Sequence, residues 1–143
     1  MKHTEGTLKF LFLLVLPALL FLPAMIGTSG AGSDPGRNVD PGEAHALILK
    51  NKGNRDFVVL DVRTPGEFAK GHLEGAVLVD YRSAGFREEM AGFDRTKTYL
   101  VYCRTGHRST RALGIMSELG FRSYYHLEGG ITRWAEEGLP AVR

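Results

Sequence analysis

Two short, wholly apolar runs constrain the fold of this 143-residue chain more than any other feature. Residues 57–60 read Phe-Val-Val-Leu and residues 99–102 read Tyr-Leu-Val-Tyr. Strands that are buried on both faces have continuous apolar sequences of this kind, whereas strands with one wet face alternate apolar and polar residues. The chain is therefore predicted to form a mostly parallel sheet that is covered by helices on both faces.

Helical patterns fill the intervals between the strand patterns. A helix is predicted to open at Asp40, a good N-cap that is followed by a proline and then by an acid three positions on. Strand patterns and further helical patterns alternate along the rest of the chain, which indicates an α/β fold. The strands are predicted at residues 57–60, 75–79, 99–102 and 124–127, and the helices at 64–70, 83–90, 108–119 and 131–137.

The N-terminal part of the chain has the pattern of an export sequence. Residues 10–26 contain no charged residue, follow Lys2 and Lys9, and precede small residues that reach position 31. Hydrophobic regions of cleaved signals have about 7 to 15 residues, and membrane-spanning helices have about 17 to 25. The run of 17 residues falls between these classes. Residues 1–31 are therefore predicted to be a signal peptide or a membrane anchor.

The remaining chain is predicted to contain one linker and one domain. Residues 32–38 are rich in Gly, Ser, Asp and Pro, as expected for a linker, and residues 39–143 carry the fold. Lys2 and Lys9, which precede the apolar run, are expected to stay on the cytoplasmic side of the membrane. The domain would then be exported or periplasmic, and it would be membrane-anchored if residues 10–26 are retained.

Charge and cysteine content exclude several classes of function. The chain has 18 Lys plus Arg against 16 Asp plus Glu, a net charge of +2, so no long-range field favours nucleic acid as a partner. Its single cysteine can form neither an intramolecular disulfide nor a multi-cysteine metal site. We expect no metal and no cofactor.

That cysteine, Cys103, lies where a strand pattern gives way to a helical one. The segment reads Cys-Arg-Thr-Gly-His-Arg-Ser over residues 103–109, so loop N–H groups and the positive end of a helix dipole would face the sulfur. Arg104, His107 and Arg108 add positive potential, which favours the thiolate. A core cysteine would lie inside the apolar run rather than after it. Cys103 is therefore predicted to be a nucleophile.

Several separated motifs resemble those of a single-domain rhodanese. They span residues 39–140 and comprise Asp-Val-Arg at 61–63, Glu67 with Phe68, Gly-His-Leu-Glu-Gly-Ala at 71–76, the cysteine loop at 102–109, Leu-Gly-Phe at 119–121, Gly-Gly at 129–130 and Trp134. The resemblance implies a three-layer α/β domain with a five-stranded parallel sheet flanked by helices on both faces. It also implies that Cys103 carries a persulfide, with the backbone of residues 104–108 cradling the outer sulfur.

A rhodanese-type reaction needs no general base if the thiol is already ionised. The Cys103 thiolate would attack the sulfane sulfur of a small anionic donor such as thiosulfate, and cyanide or a thiol would then accept that sulfur. An alternative remains open, because a chain with an exposed thiol could instead be a persulfide carrier or partner-binding module with little turnover. Its partner would be an exported or membrane sulfur-relay protein.

The length of the loop separates this interpretation from its nearest rival. Tyrosine phosphatases, which resemble this segment, use Cys-x5-Arg, whereas here the arginine is one position nearer and position 109 is Ser. A shorter loop suits a single sulfur atom better than a phosphoryl group.

The remaining site residues are expected either to bind substrate or to support the loop. Arg108 has an open alternative, pairing with Glu67 or Asp61 to hold the loop in shape, and loop support is likewise open for Arg63. The expected substrate-binding residues are Arg104, Thr105, Gly106, His107, Arg108 and Arg63, and the expected loop-supporting residues are Asp61 and Glu67.

Overall fold

The computed structural model describes residues 36–143, within which strands and helices alternate. In chain order the elements are β1 (Arg37–Val39), α1 (Pro41–Lys50), β2 (Phe57–Asp61), α2 (Pro65–Lys70), β3 (Val77–Leu78), α3 (Phe86–Ala91), β4 (Thr98–Tyr102), α4 (His107–Glu118), β5 (Tyr124–Leu127) and α5 (Gly130–Glu136). The strands form one five-stranded parallel sheet in the order β1-β5-β4-β2-β3. The predicted fold class is confirmed.

The apolar runs are buried on both faces because neighbouring strand residues point to opposite sides of the sheet. Leu60 and Val101 pack into one core with residues of α3 and α4. Val59 and Leu100 pack into a second core with residues of α1 and α5. Cys103 continues the face of Val101, so its side chain lies on the side of the sheet that α4 covers.

The predicted linker is wrong at its C-terminal end. Residues 37 and 38 belong to β1, where Arg37 pairs with Tyr125 and Val39 pairs with Leu127. β1 forms because its backbone pairs with β5, which lies far along the chain. The short polar sequence at residues 37 and 38 does not by itself indicate a strand. Residues 1–35, with the predicted signal or anchor and the rest of the predicted linker, lie outside the described residues. Over residues 36–143 no helix is long and apolar enough to cross a membrane.

Two helices begin at side-chain caps that the local sequence dictates. The Asp40 carboxylate accepts the N–H of Glu43 at 2.8 Å, which fixes the start of α1. At the start of α2, Thr64 and Glu67 form a reciprocal capping box. The helix predicted from residue 83 begins at Phe86 instead, because Ser83 uses its hydroxyl to accept the Gly85 N–H in a turn.

Candidate active site

The cysteine loop joins the carboxyl end of β4 to the N-terminus of α4. Gly106 has φ +107°, a left-handed conformation that lets the chain turn directly into the helix. The carbonyl of Cys103 accepts the N–H of Ile131, and the carbonyl of Arg104 accepts the N–H of Thr132, each at 3.0 Å. Backbone hydrogen bonds from the first turn of α5 therefore hold the start of the loop in place.

The thiol of Cys103 lies inside this loop. Its sulfur accepts the N–H of Gly106 at 3.1 Å and the hydroxyl of Ser109 at 3.4 Å. Only 1% of the residue is exposed, so the exposed thiol expected for a carrier module is not found. The thiol is buried because the side-chain alternation of β4 continues through Cys103. Its sulfur therefore points into the same core as Tyr99 and Val101, and away from the outer rim of the loop.

The surroundings of the sulfur favour its ionised form. Burial by itself raises the pKa of the Cys103 thiol. Hydrogen bonds from the Ser109 hydroxyl and from the N–H groups of Ser109, Gly106 and Thr105 outweigh burial, so the pKa falls below its ordinary value. The donors that lower this pKa are amides and a hydroxyl rather than the arginine side chains expected from the sequence.

Arg108 turns away from the sulfur towards α2. Its two terminal nitrogens donate to the two carboxylate oxygens of Glu67 at 2.7 and 2.8 Å. This hydrogen bonding lowers the pKa of Glu67 well below its ordinary range. The structure thus shows the pairing with Glu67 that was one of the two alternatives for Arg108. That the pair supports the loop stays a prediction.

A second pair, Asp61 with Arg63, lies at the carboxyl end of β2. Asp61 is fully buried and Arg63 is 5% exposed. The guanidinium donates to both carboxylate oxygens of Asp61, with a shortest contact of 2.6 Å, and to the carbonyl of Gly71 at 2.7 Å. Arg63, for which substrate binding and loop support were both open, therefore joins the end of β2 to the residue that follows α2. The loop-supporting role expected for Asp61 stays a prediction.

The remaining expected substrate-binding residues form the outer rim of the loop. Arg104, Thr105 and His107 are exposed, and the Thr105 hydroxyl lies 3.2 Å from Nδ1 of His107. Arg104 borders an open cavity of about 500 Å³ whose walls are mostly apolar and whose lining carries further cations together with Glu67. The other residues at this cavity include Arg63, Lys70, Ile131, Trp134 and Ala135.

Comparison with known proteins identifies the family. Residues 41–137 match the sequence model of the rhodanese-like domain. The chain belongs to the rhodanese-like domain family. This rhodanese-like domain is 36% identical over 107 residues to thiosulfate sulfurtransferase 16, chloroplastic, of Arabidopsis thaliana, an alignment that covers 68% of the chain and 85% of the relative.

Two further similarities define how far the likeness extends. The chain is 30% identical over 116 residues to the probable adenylyltransferase/sulfurtransferase MoeZ of Mycobacterium tuberculosis, which covers 81% of the chain but only 29% of that longer protein. A crystal structure of a rhodanese-related protein from Thermoplasma volcanium superimposes with a TM-score of 0.61 at 33% identity, covering 74% of this chain and 97% of the other.

Three residues of this rhodanese-like site were not predicted as functional. Ser109 is fully buried beside the sulfur, and His126 on β5 contacts its hydroxyl at 2.7 Å. Gly130 approaches the loop so closely that a Cβ there would lie 2.5 Å from the carbonyl oxygens of Cys103 and Arg104. A polar residue within an otherwise apolar strand was the available signal for His126. For Gly130 the signal was its place in a glycine pair.

Proposed function

We propose that this rhodanese-like domain is a sulfurtransferase in which Cys103 carries sulfur as a persulfide. The observation that carries the proposal is the buried sulfur at the N-terminus of α4, with loop donors that lower its pKa. A thiolate held in this way can attack without a general base. The same donors would stabilise an anionic persulfide, because hydrogen bonds to charged acceptors are the strong ones.

The proposed reaction balances in two steps. The Cys103 thiolate attacks the outer sulfur of thiosulfate, a sulfur–sulfur bond forms at Cys103, and the sulfur–sulfur bond of the donor breaks with sulfite as the leaving group. Cyanide or a thiolate then attacks the outer sulfur of the persulfide, takes it away, and returns the Cys103 thiolate. Neither step consumes a proton or needs an oxidant.

The cavity beside Arg104 is an argument for a sulfur acceptor larger than cyanide. Its volume of about 500 Å³ exceeds what a diatomic anion fills, and its mostly apolar wall includes Ile131 and Trp134. Lys70 and Arg104 place positive charge at its edge, and the carboxylate of Glu67, also in its lining, is paired with Arg108. An organic thiol that carries a negative group fits this combination of shape and charge, and cyanide serves as a reagent for assay.

The steady-state test is sulfur transfer from thiosulfate to cyanide and to anionic and neutral thiols, with Cys103→Ser as the control. We expect turnover in the usual enzymatic range of about 1 to 1000 per second for at least one acceptor. We also expect the anionic thiols to have lower KM values than neutral thiols, by a factor that shrinks in Arg104→Gln. A persulfide that forms but passes to no small acceptor would contradict the enzyme and leave the carrier alternative.

We also propose that the domain acts after export, with a sulfur-relay partner outside the cytoplasm. The basis is the sequence of residues 1–31, in which Lys2 and Lys9 precede the charge-free run. The N-terminal mass of the protein from membrane and soluble fractions tests this. A soluble product that begins near residue 32 indicates a cleaved signal, and a membrane-bound full chain indicates an anchor. A full-length product in the cytoplasm would contradict export.

A further inference from the structure

Four polar side chains form a continuous chain from the protein surface to the buried sulfur. The Asn38 side-chain oxygen on β1 lies 3.2 Å from Nδ1 of His126 on β5. Nε2 of the same ring lies 2.7 Å from the hydroxyl of Ser109 on α4. That hydroxyl in turn lies 3.4 Å from the sulfur of Cys103. The reaction proposed above uses neither Asn38 nor His126.

The hydroxyl of Ser109 has one proton and three possible acceptors. Besides Nε2 of His126 and the sulfur of Cys103, the carbonyl oxygen of Gly106 lies 3.0 Å away. A hydroxyl proton can serve only one of these acceptors well at a time. Whether the sulfur receives the Ser109 hydrogen bond therefore depends on whether Nε2 of His126 accepts that proton instead.

The charge of His126 determines whether its Nε2 accepts a hydrogen bond from Ser109 or donates one. The Asn38 oxygen can only accept, so Nδ1 of His126 keeps a proton in both charge states. In the neutral ring Nε2 is then an acceptor and takes the Ser109 proton, whereas in the cation Nε2 donates to Ser109. The Ser109 proton is released in the second case, and an anionic sulfur is a stronger acceptor for it than a neutral carbonyl.

We propose that His126 is a positioning residue that acts through Ser109 to couple its own protonation to the anionic state of Cys103. A protonated His126 directs the Ser109 hydroxyl to the thiolate, whose sulfur that hydroxyl already contacts. The proposal extends this to the charged outer sulfur of the persulfide, which is bonded to that sulfur, and in either form the anionic sulfur in return favours the protonated ring. By thermodynamic linkage the two effects are equal in size. The persulfide is thus held most tightly when His126 is charged, and loss of that proton loosens it for transfer.

The surroundings leave His126 able to change state. Burial lowers the pKa of His126, while a hydrogen bond with the backbone of Gly106 and, to a smaller extent, the nearby carboxylate of Glu128 favour the cation. On β1, Arg37 pairs with Glu43 rather than with the ring. Asn38 and His126 line a surface cavity. The other ionisable groups around it are His107 and Arg111 of α4, Tyr124 of β5, and Arg133 of α5, which lies 3.7 Å from Glu128.

This inference rests on Cys103 being the sulfur-carrying residue of the proposed function, but its test needs no turnover. The Cys103 persulfide is prepared with inorganic polysulfide, so that a failure to react with thiosulfate does not prevent the measurement. The pKa of His126 is read by NMR from its ring protons in the persulfide form and in Cys103→Ser. We expect the value to be higher in the persulfide form by about one pKa unit, as an added charge-assisted hydrogen bond implies.

Ser109→Ala distinguishes coupling through the hydroxyl from simple attraction between charges. We expect the difference in His126 pKa to fall by half or more in this variant. Thr110→Ala is the matched control, because the Thr110 hydroxyl also donates to the Gly106 carbonyl, at 2.9 Å, one residue along the helix. It should keep the full difference. No difference in the parent protein, or a full difference in Ser109→Ala, would overturn the proposal.

Asn38→Asp provides a second test at the exposed end of the chain, should the buried Ser109→Ala variant not fold. A carboxylate beside Nδ1 raises the pKa of His126. If protonation of His126 is coupled to the anionic state of Cys103, the pKa of the Cys103 thiol, measured by thiolate absorbance near 240 nm, falls. The added negative charge alone would raise it. A raised or unchanged Cys103 pKa together with a raised His126 pKa would overturn the proposal.

Discussion

Arg108 binds Glu67 through two parallel hydrogen bonds of 2.7 and 2.8 Å that join the first turn of α4 to α2. The side chains are 16% and 27% exposed, so solvent screens this pair less than a surface pair. Glu67 also closes the capping box at Thr64. One carboxylate therefore fixes both the start of α2 and the arginine that ends the cysteine loop.

Glu67→Gln removes the charge from this pair while keeping its size. We expect the free energy of unfolding to fall by about 1–3 kcal/mol, the usual cost of losing a charge-assisted hydrogen bond that is partly buried. The matched control is Glu118→Gln, whose partner Arg87 lies at the same 2.7 Å but with both side chains at least half exposed. It should cost about 0.5 kcal/mol or less. Equal losses by urea denaturation would contradict this.

The same pair gives a defined pH dependence. Because Arg108 lowers the pKa of folded Glu67, the pair contributes its full stability above the pKa of the unfolded carboxyl, about 4.3, and loses it as the pH falls further. We expect the stability difference between the parent and Glu67→Gln to be constant from pH 8 to pH 6 and to shrink below about pH 4. A difference that shrinks between pH 8 and 6 would assign the effect to another group.

Gly130→Ala should disturb the loop that holds the sulfur. A Cβ at Gly130 would lie 2.5 Å from two backbone carbonyls, whereas at Gly138 it would meet nothing within 4 Å. Both glycines have left-handed φ values, +59° and +71°, so the conformational cost is similar. We expect Gly130→Ala to lower the free energy of unfolding by about 1–3 kcal/mol more than Gly138→Ala. Equal losses in paired thermal melts would show that the loop tolerates the approach.

Asp61→Asn tests whether the second arginine is held by a buried countercharge. In this variant Arg63, which is 5% exposed, would keep its charge without a countercharge. We expect the free energy of unfolding to fall by about 3–5 kcal/mol, the usual cost of removing one partner of a buried ion pair. Glu74→Gln, in the exposed pair with Lys52 at 3.3 Å, is the comparison and should cost less than about 1 kcal/mol. A loss below about 1 kcal/mol for Asp61→Asn would mean that Arg63 is stabilised mainly by its other contacts.

The sequence predicted those parts of the site that depend on neighbouring residues. The end of a buried strand, the glycine at position 106 and the start of a helix are local features, and together they placed Cys103 at an anion-stabilising turn. The Asp40 cap was predicted for the same reason. The exported or anchored state of the chain stays a prediction, because residues 1–35 lie outside the described structure.

Features that depend on distant parts of the chain could not be predicted. β1 forms because β5 offers it a backbone edge, so residues 37 and 38 were assigned to a linker. The choice of Glu67 over Asp61 as the partner of Arg108 depends on where α2 lies in the fold. The contact between Ser109 and His126, 17 positions apart, likewise exists only because β5 lies beside the first turn of α4.

The most direct test of the central claim is the intact mass of the domain after incubation with thiosulfate and removal of excess reagent. We expect a gain of about 32 Da, one sulfur atom, that is absent in Cys103→Ser and is lost again on addition of cyanide or a thiol. A protein that gains no mass, or a Cys103→Ser variant that gains the same mass, would contradict the assignment of Cys103 as the sulfur carrier.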